Sequence, residues 1–268
     1  SSIYKEVLKR DYNFVMQHSK SSFRNGYGEN LAWNKAIPGG GWSSPIVVGK
    51  RIFITTAVDS KNTKPLGHAG GVRNMRGKKP TEPFDFKLIC LNLEDGSTLW
   101  EKNIVQEQPE YAIHPSNTYS TESPVTDGKH VFCYFATIGK IAAVSLKGKL
   151  AWTVNIGAFP SGNGFGTGSS LALLENTLFI QCDNDKDSFV VALDTATGKE
   201  KWKRKRSSKT SWSSPYIWKH KKRTDLVICG SRTVTGYDPA TGKTNWQLTN
   251  TRSAFTASPA SDGKYIFL

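Results

Sequence analysis

The sequence predicts an all-β fold assembled from repeated four-stranded antiparallel units, and three observations predict it. The first is a recurring motif: in Ser188 to Trp202 an apolar, β-branched run enters a small polar turn ending in Gly198, and four residues later comes Trp202. Strand, tight turn and a second strand with an aromatic anchor follow from that order. The same plan returns at Leu88 to Trp100, Ala142 to Trp152 and Val234 to Trp246. The second observation is a hairpin signal preceding each motif, as in Trp42-Ser-Ser-Pro45 followed by two apolar runs around Gly49-Lys50. The third is composition: 24 glycines, 8 tryptophans and 11% aromatic residues without long Leu/Ala runs favour many short strands and leave helix minor.

The spacing of the hairpin segments fixes the architecture. Pro45, Pro124, Ser170, Pro215 and Pro259 mark equivalent positions, separated by 79, 46, 45 and 44 residues. A period near 45 with four strands per unit is that of β-propeller blades. The predicted blades run over 42–104, 120–156, 167–204 and 211–249, with an incomplete fifth at 255–268. The long first interval places an insertion at 57–86, a Lys-, Gly- and Pro-rich excursion between the second and third strands. Residues 1–30 lie outside the repeat as an N-terminal extension, and the apolar spacing from Ile3 to Gln17 predicts a short amphipathic helix there. Leu31 to Ile37, carrying Trp33, is expected to be an outer strand, because a propeller closes by letting such a strand complete its last blade. About four and a half blades leave open strand edges, which closure abolishes. The expectation is therefore a ring of seven or eight blades, roughly 315 to 360 residues at this period, completed by the rest of a longer chain or by another subunit.

Charge and cysteines narrow the function classes. The formal charge of +14 fits either a lysine-rich solvated surface or an acidic polymer or membrane surface as partner. Eleven basic residues against Glu200 alone occupy positions 199–223, either a solvated edge or a polyanion-binding patch. No aromatic stacking ladder accompanies them, so there is no specific nucleic-acid signal. Cys90, Cys133, Cys182 and Cys229 stand far apart in apolar runs, the pattern of buried free thiols rather than of disulfides or metal ligands. No apolar run reaches the length of a transmembrane helix, and the chain begins at Ser1 without Met or a signal-peptide pattern, in keeping with either a processed, exported protein or a sequence that starts after its signal.

The motif Ala-Leu-Asp-x-x-Thr-Gly-Lys-x-x-Trp at Ala192 to Trp202, with its relatives at 91–100, 144–152 and 237–246, closely resembles the PQQ-like (pyrroloquinoline-quinone-like) β-propeller repeat and its tryptophan-docking motif. The opening Phe23-Arg-Asn-Gly, Trp33 and Pro38-Gly-Gly-Gly-Trp-Ser-Ser-Pro45 is similar to exported BamB-like propeller proteins of planctomycetes. The resemblance implies that Trp33, Trp100, Trp152, Trp202 and Trp246 pack between blades over a turn glycine. It also implies export to the periplasm or cell surface. One fold hosts many functions. A non-catalytic binding or assembly scaffold without cofactor, engaging a protein partner, is the leading expectation. The alternatives are a quinoprotein-type oxidoreductase using PQQ with calcium and a carbohydrate-binding propeller. Many dehydrogenases of the class carry a vicinal Cys-Cys ring, and this chain has no Cys-Cys pair.

Two groups of residues are candidate ligand contacts. The segments entering the innermost strands converge at the channel mouth, which places Trp42, Tyr119, Glu122, Phe165, Trp212, Arg252 and Phe255 there. Aromatics with one carboxylate and one Arg suit a sugar or peptide, or else pack the loops. Asp183, Asp185 and Asp187 alternate like calcium-loop ligands but lack the Gly at the sixth position and the Glu at the twelfth, and a solvated turn is the better reading. The five histidines have no paired ligand spacing, and no Ser-His-Asp grouping supports hydrolysis.

Overall fold

The computed structural model describes residues 32–63, 77–251 and 254–268. Among them four antiparallel meanders of four strands follow one another along the chain. The first blade consists of β1 (Ile46–Val48), β2 (Arg51–Val58), β3 (Phe84–Asn92) and β4 (Thr98–Glu107). The second is β5 (Val125–Thr126), β6 (His130–Phe135), β7 (Lys140–Ser145) and β8 (Leu150–Asn155). The third is β9 (Ala172–Leu174), β10 (Thr177–Cys182), β11 (Phe189–Asp194) and β12 (Glu200–Lys205). The fourth is β13 (Tyr216–His220), β14 (Arg223–Gly230), β15 (Thr233–Tyr237) and β16 (Thr244–Thr249). A hairpin of β17 (Ala260–Ser261) and β18 (Ile266–Phe267) begins a fifth. The chain is thus an all-β propeller of four-stranded blades.

Alternation along the central strands builds the core. Side chains of a strand point to opposite faces, so each central strand feeds two inter-blade layers. On β6, Val131, Cys133 and Phe135 pack with Phe53, Phe86 and Leu88 of the first blade. Its Phe132 and Tyr134 pack instead with Leu178, Ile180 and Phe189 of the third. β10 continues the scheme by sending Phe179 toward Leu226 and Ile228 of the fourth blade. That is why the central strands read as unbroken apolar runs. Each fully buried Phe or Leu in these layers contributes roughly 1.5–3 kcal/mol.

The fourth strands carry the tryptophans, and each is bulged next to its Trp. Cys90 pairs with Trp100 and Leu91 with Thr98, so Leu99 is the extra residue and points outward. The same shift follows the partners of Trp152, Trp202 and Trp246. A bulge bends and twists the strand, and here it aims the indole at the neighbouring blade. The Trp33 ring lies against Gly96, Trp100 against Gly148, Trp152 against Gly198 and Trp202 against Gly242. Their indole N–H groups donate to Leu93, Leu146, Thr195 and Pro239 carbonyls of the same turns at 2.9–3.2 Å. Gly198 and Gly242 have φ of +71° and +68°, so these positions need glycine both for backbone conformation and for room under the ring. Trp246 differs: its N–H reaches Asp225 of its own blade at 2.9 Å.

Three expectations are corrected. Ala57 pairs with Phe86 and Val58 with Asp85, so the excursion in the first blade spans 59–83, because the antiparallel ladder of the second and third strands runs on through these residues. Of that excursion, 64–76 lie outside the described residues, as does the helix expected at Ile3 to Gln17. Ala32 to Ile37 belong to no strand; Trp33 is held by its turn contacts rather than by a ladder. In the third blade Leu171, not Ser170, occupies the proline position: Ala172 pairs with Phe179 as Ile46 pairs with Phe53.

Candidate functional site

The residues entering the innermost strands form a ladder from blade to blade. The Ser44 N–H donates to the Ser123 hydroxyl at 2.8 Å, Ser123 N–H to the Ser170 hydroxyl at 2.9 Å, and Ser170 N–H to the Ser214 hydroxyl at 2.9 Å. Ser214 N–H then donates to Ser258 at 3.0 Å. Four blade junctions are tied at the inner rim by one repeated contact, each satisfying a backbone donor that the short inner strand leaves unpaired. A serine before each proline, at 44, 123, 214 and 258, was the readable signal for this ladder.

Above the rim, the loops joining blades bring together some of the predicted mouth residues. Trp212 donates its indole N–H to the Gly166 carbonyl at 2.9 Å, and its ring stands 6.3 Å from Phe165. His114, which the sequence did not single out, meets the other side of Phe165 edge-on at 5.6 Å. Asn117 fastens the arrangement, donating to the Phe165 carbonyl at 2.8 Å and the Thr167 carbonyl at 3.2 Å. Phe165 itself is 41% exposed. Trp42 sits on a neighbouring loop, its indole N–H on the Ser116 carbonyl at 2.8 Å.

The other predicted mouth residues lie inside. Tyr119 packs against Phe84 with ring centroids 4.9 Å apart, and burial pushes its phenol up to about 12. Phe255 is buried against the fourth blade, its carbonyl accepting the Trp212 and Ser213 N–H groups at 2.8 and 3.1 Å. Glu122 is fully buried. One carboxyl oxygen accepts a long 3.4 Å bond from Ala136 N–H; the other has no partner among the described residues, although the Thr167 hydroxyl faces it without meeting hydrogen-bond geometry. Burial therefore pushes the Glu122 carboxyl up to about 7. The sequence could not separate mouth from interior because the entering segments dive between blades, and Glu122 takes the position that serines hold at 43, 169 and 213. Arg252 lies outside the described residues.

The alternating aspartates diverge to separate duties. Asp183 is buried in a bidentate pair with Arg206, at 2.8 and 3.2 Å, and Arg206 also donates to the Tyr237 hydroxyl at 2.8 Å. Asp185 accepts from the Thr210 hydroxyl at 2.8 Å, and Asp187 stands 4.0 Å from Lys205. Among the described residues no three His, Cys, Asp or Glu side chains converge as a metal site. The cysteines are free thiols, and burial raises Cys90 and Cys229 to about 11 and Cys133 and Cys182 to about 12, far from thiolate chemistry at neutral pH.

The repeated blades, with turn glycines under indoles and a seryl-prolyl inner rim, agree with what comparison of the sequence finds. Residues 25–164, just over half of the chain, match the family described as outer membrane protein assembly factor BamB. The chain belongs to this family. No curated protein matches it. Among solved structures, a europium-containing methanol dehydrogenase is similar at 12% identity and a TM-score of 0.51, over 81% of this chain and 42% of that one. BamB from Moraxella catarrhalis is similar at 12% identity and a TM-score of 0.46, over 81% and 66% of the two chains. The quinohemoprotein alcohol dehydrogenase from Comamonas testosteroni is similar at 16% and 0.46, over 79% and 43%. At these identities the likeness is one of fold alone, and the chain spans less than two thirds of the length of each of these structures. PQQ with calcium would need several oxygens converging on one point; among the described residues no three Asp, Glu, His or Cys side chains do so, Glu122 at the inner rim is enclosed, and the aspartates are spread over separate partners. No helix among the described residues is long and apolar enough to cross a membrane.

Proposed function

We propose that this chain acts as a non-catalytic, exported binding and assembly scaffold that presents the loop face of its propeller to a protein partner. The observation that carries the reading is the trio His114, Phe165 and Trp212: a fixed aromatic platform, gathered from three inter-blade loops, with an exposed Phe165 at its centre. Aromatics held by packing and backbone hydrogen bonds are the residue types on which protein interfaces concentrate their energy. Membership of a family described as an outer membrane protein assembly factor supports a periplasmic setting and a partner among outer-membrane proteins or their assembly components. The ladder of serines and the indole contacts keep the blades in fixed relation, which suits a surface that binds without rearranging.

The test is a photo-crosslinking amino acid placed at Phe165 in the exported protein. Crosslinks to an outer-membrane or assembly protein, lost when Trp212→Ala is added, are expected. Crosslinks no more frequent than from a probe at exposed Leu99 on the first blade's outer edge would refute the reading. So would dye reduction that depends on added PQQ and calcium.

A further inference from the structure

The outer edges of the four complete blades differ sharply in charge. β8 and β16 carry no charged residue, and β4 carries Glu101, Lys102 and Glu107. β12 carries Lys201, Lys203, Arg204 and Lys205 in six residues, with Lys199 just before it and Glu200 as its only acid. All these basic residues are exposed, whereas Trp202 between them is buried. If lysines served only to block edge-to-edge pairing, β8 and β16 would need them equally. The structure also separates this cluster from Lys219 to Arg223, which lies in the β13–β14 hairpin of the next blade.

The cations on β12 are positioned, and mostly by neutral groups. Lys201 Nζ donates to Asn176 Oδ1 at 3.1 Å and to Thr177 Oγ1 at 2.8 Å. Lys203 Nζ stands 3.7 Å over the Phe189 ring. Arg204 reaches across to the Thr241 and Gly242 carbonyls at 2.7 and 3.2 Å. Lys205 has Asp187 at 4.0 Å, both of them exposed. Among the described residues no carboxylate comes within ion-pair distance of Lys201, Lys203 or Arg204. β12 pairs with β11 on one side, and among the described residues no strand pairs with its other side.

We propose that β12 takes an acidic extended peptide as a fifth strand of the third blade. An edge strand offers a row of backbone donors and acceptors that an extended chain can match, with alternate side chains supplying specificity. Lys203 and Lys205, opposite Val191 and Phe189, project from one face at an interval of about 7 Å, the two-residue repeat of a strand, while Lys201, the extra residue of the bulge, turns with Thr177 to the other face. An incoming strand with Asp or Glu at every second position meets Lys203 and Lys205 in register. A nucleic acid could use the charge but not the open backbone ladder, and the strand's one aromatic, Trp202, is turned inward. The inference rests on the reading of the chain as a protein-binding scaffold, and it adds a second surface and the chemistry of its partner.

The experiment is fluorescence anisotropy of the intact protein with a labelled ten-residue peptide of alternating Thr and Glu. Saturable binding is expected. Lys201→Glu/Lys203→Glu/Lys205→Glu weakens it at least tenfold, while Lys219→Glu/Lys221→Glu/Lys222→Glu, an equal charge change elsewhere, stays within twofold. The same peptide N-methylated at alternate amides keeps its charge but cannot join a ladder, and binds at least tenfold more weakly to the unaltered protein. Equal binding of the N-methylated peptide, equal loss in the two triple variants, or no saturable binding would each overturn the proposal. Because the N-methylated comparison uses unaltered protein, misfolding of a variant cannot decide the result. Phe165 and Trp212 are untouched, so a failure here leaves the loop-face reading standing, and the converse.

Discussion

Glu122→Gln should stabilise this protein, and only above mildly acidic pH. A carboxyl that titrates near 7 when folded, against an ordinary value of 4.5, favours the folded state only while it is protonated. At about 1.4 kcal/mol per pH unit, ionising Glu122 inside the blade junction costs on the order of 3 kcal/mol more than ionising it in the unfolded chain. The pH window follows from those two values. Below pH 4.5 both states hold the proton and the cost is absent; it grows from 4.5 to 7 and is complete above 7. Gln keeps an oxygen for the Ala136 N–H and offers the Thr167 hydroxyl a donor, without charge. Urea unfolding followed by tryptophan fluorescence, with variant and parent compared at pH 4.5 and pH 8, measures the difference. We expect near equality at pH 4.5 and a gain for Gln of up to about 3 kcal/mol at pH 8. A difference that does not change with pH, or a variant less stable at pH 8, would show that the carboxyl is solvated in the fold and that this account of its burial is wrong.

Three further outcomes follow from the packing. Gly198→Ala should cost about 2–4 kcal/mol, because it strains a left-handed residue and its methyl would meet the Trp152 ring at 2.8 Å. Gly128→Ala, at φ +83° with open space around it, should cost only about 1 kcal/mol in the same urea titration, and equal costs would dismiss the indole contact. Arg206→Met leaves Asp183 buried without its guanidinium and should destabilise by about 3–5 kcal/mol, largely recovered in the double variant with Asp183→Leu; thermal melts of the three proteins read this. Asp225, held down to about 2 by Arg223, Trp246, Asn245 and His220, contributes stability that is present above its ordinary 3.8 and is lost as pH falls through 2. Asp225→Asn should therefore flatten the acid limb of a melting-temperature profile recorded between pH 5 and pH 2.

The repeat was legible because its physics is local. A glycine that must adopt positive φ and a tryptophan that needs a flat backbone beneath it leave a fixed spacing, and the spacing counts the blades. Which blade supplies the glycine under each indole was not legible: Trp152 meets Gly198 of the following blade. The candidate site divides in the same way. Phe165 and Trp212 stand together as convergence of the loops implied, but His114 joins them only through the fold. Glu122, one residue from the inner-rim Ser123, and Tyr119, four residues from it, turn inward because the space between blades is there to be filled. In the third blade the absent proline hid the register, which the pairing of Ala172 with Phe179 decides. The basic run divided likewise: alternation along β12 is written in the sequence, while its place on an open edge, a blade away from Lys219 to Arg223, is not.

By itself, then, the sequence determined an all-β propeller of four-stranded blades, the order of those blades, the site of the long excursion and the tryptophans that anchor them, because strand periodicity and turn chemistry act over a few residues. Only the tertiary structure decided which neighbour each anchor meets, that Ser44, Ser123, Ser170, Ser214 and Ser258 form one ladder, and that Glu122 is shut away from the channel it was expected to line. The indole and serine contacts between blades join residues 37 to 79 positions apart, and burial is a property of the space two blades enclose, which no single repeat contains.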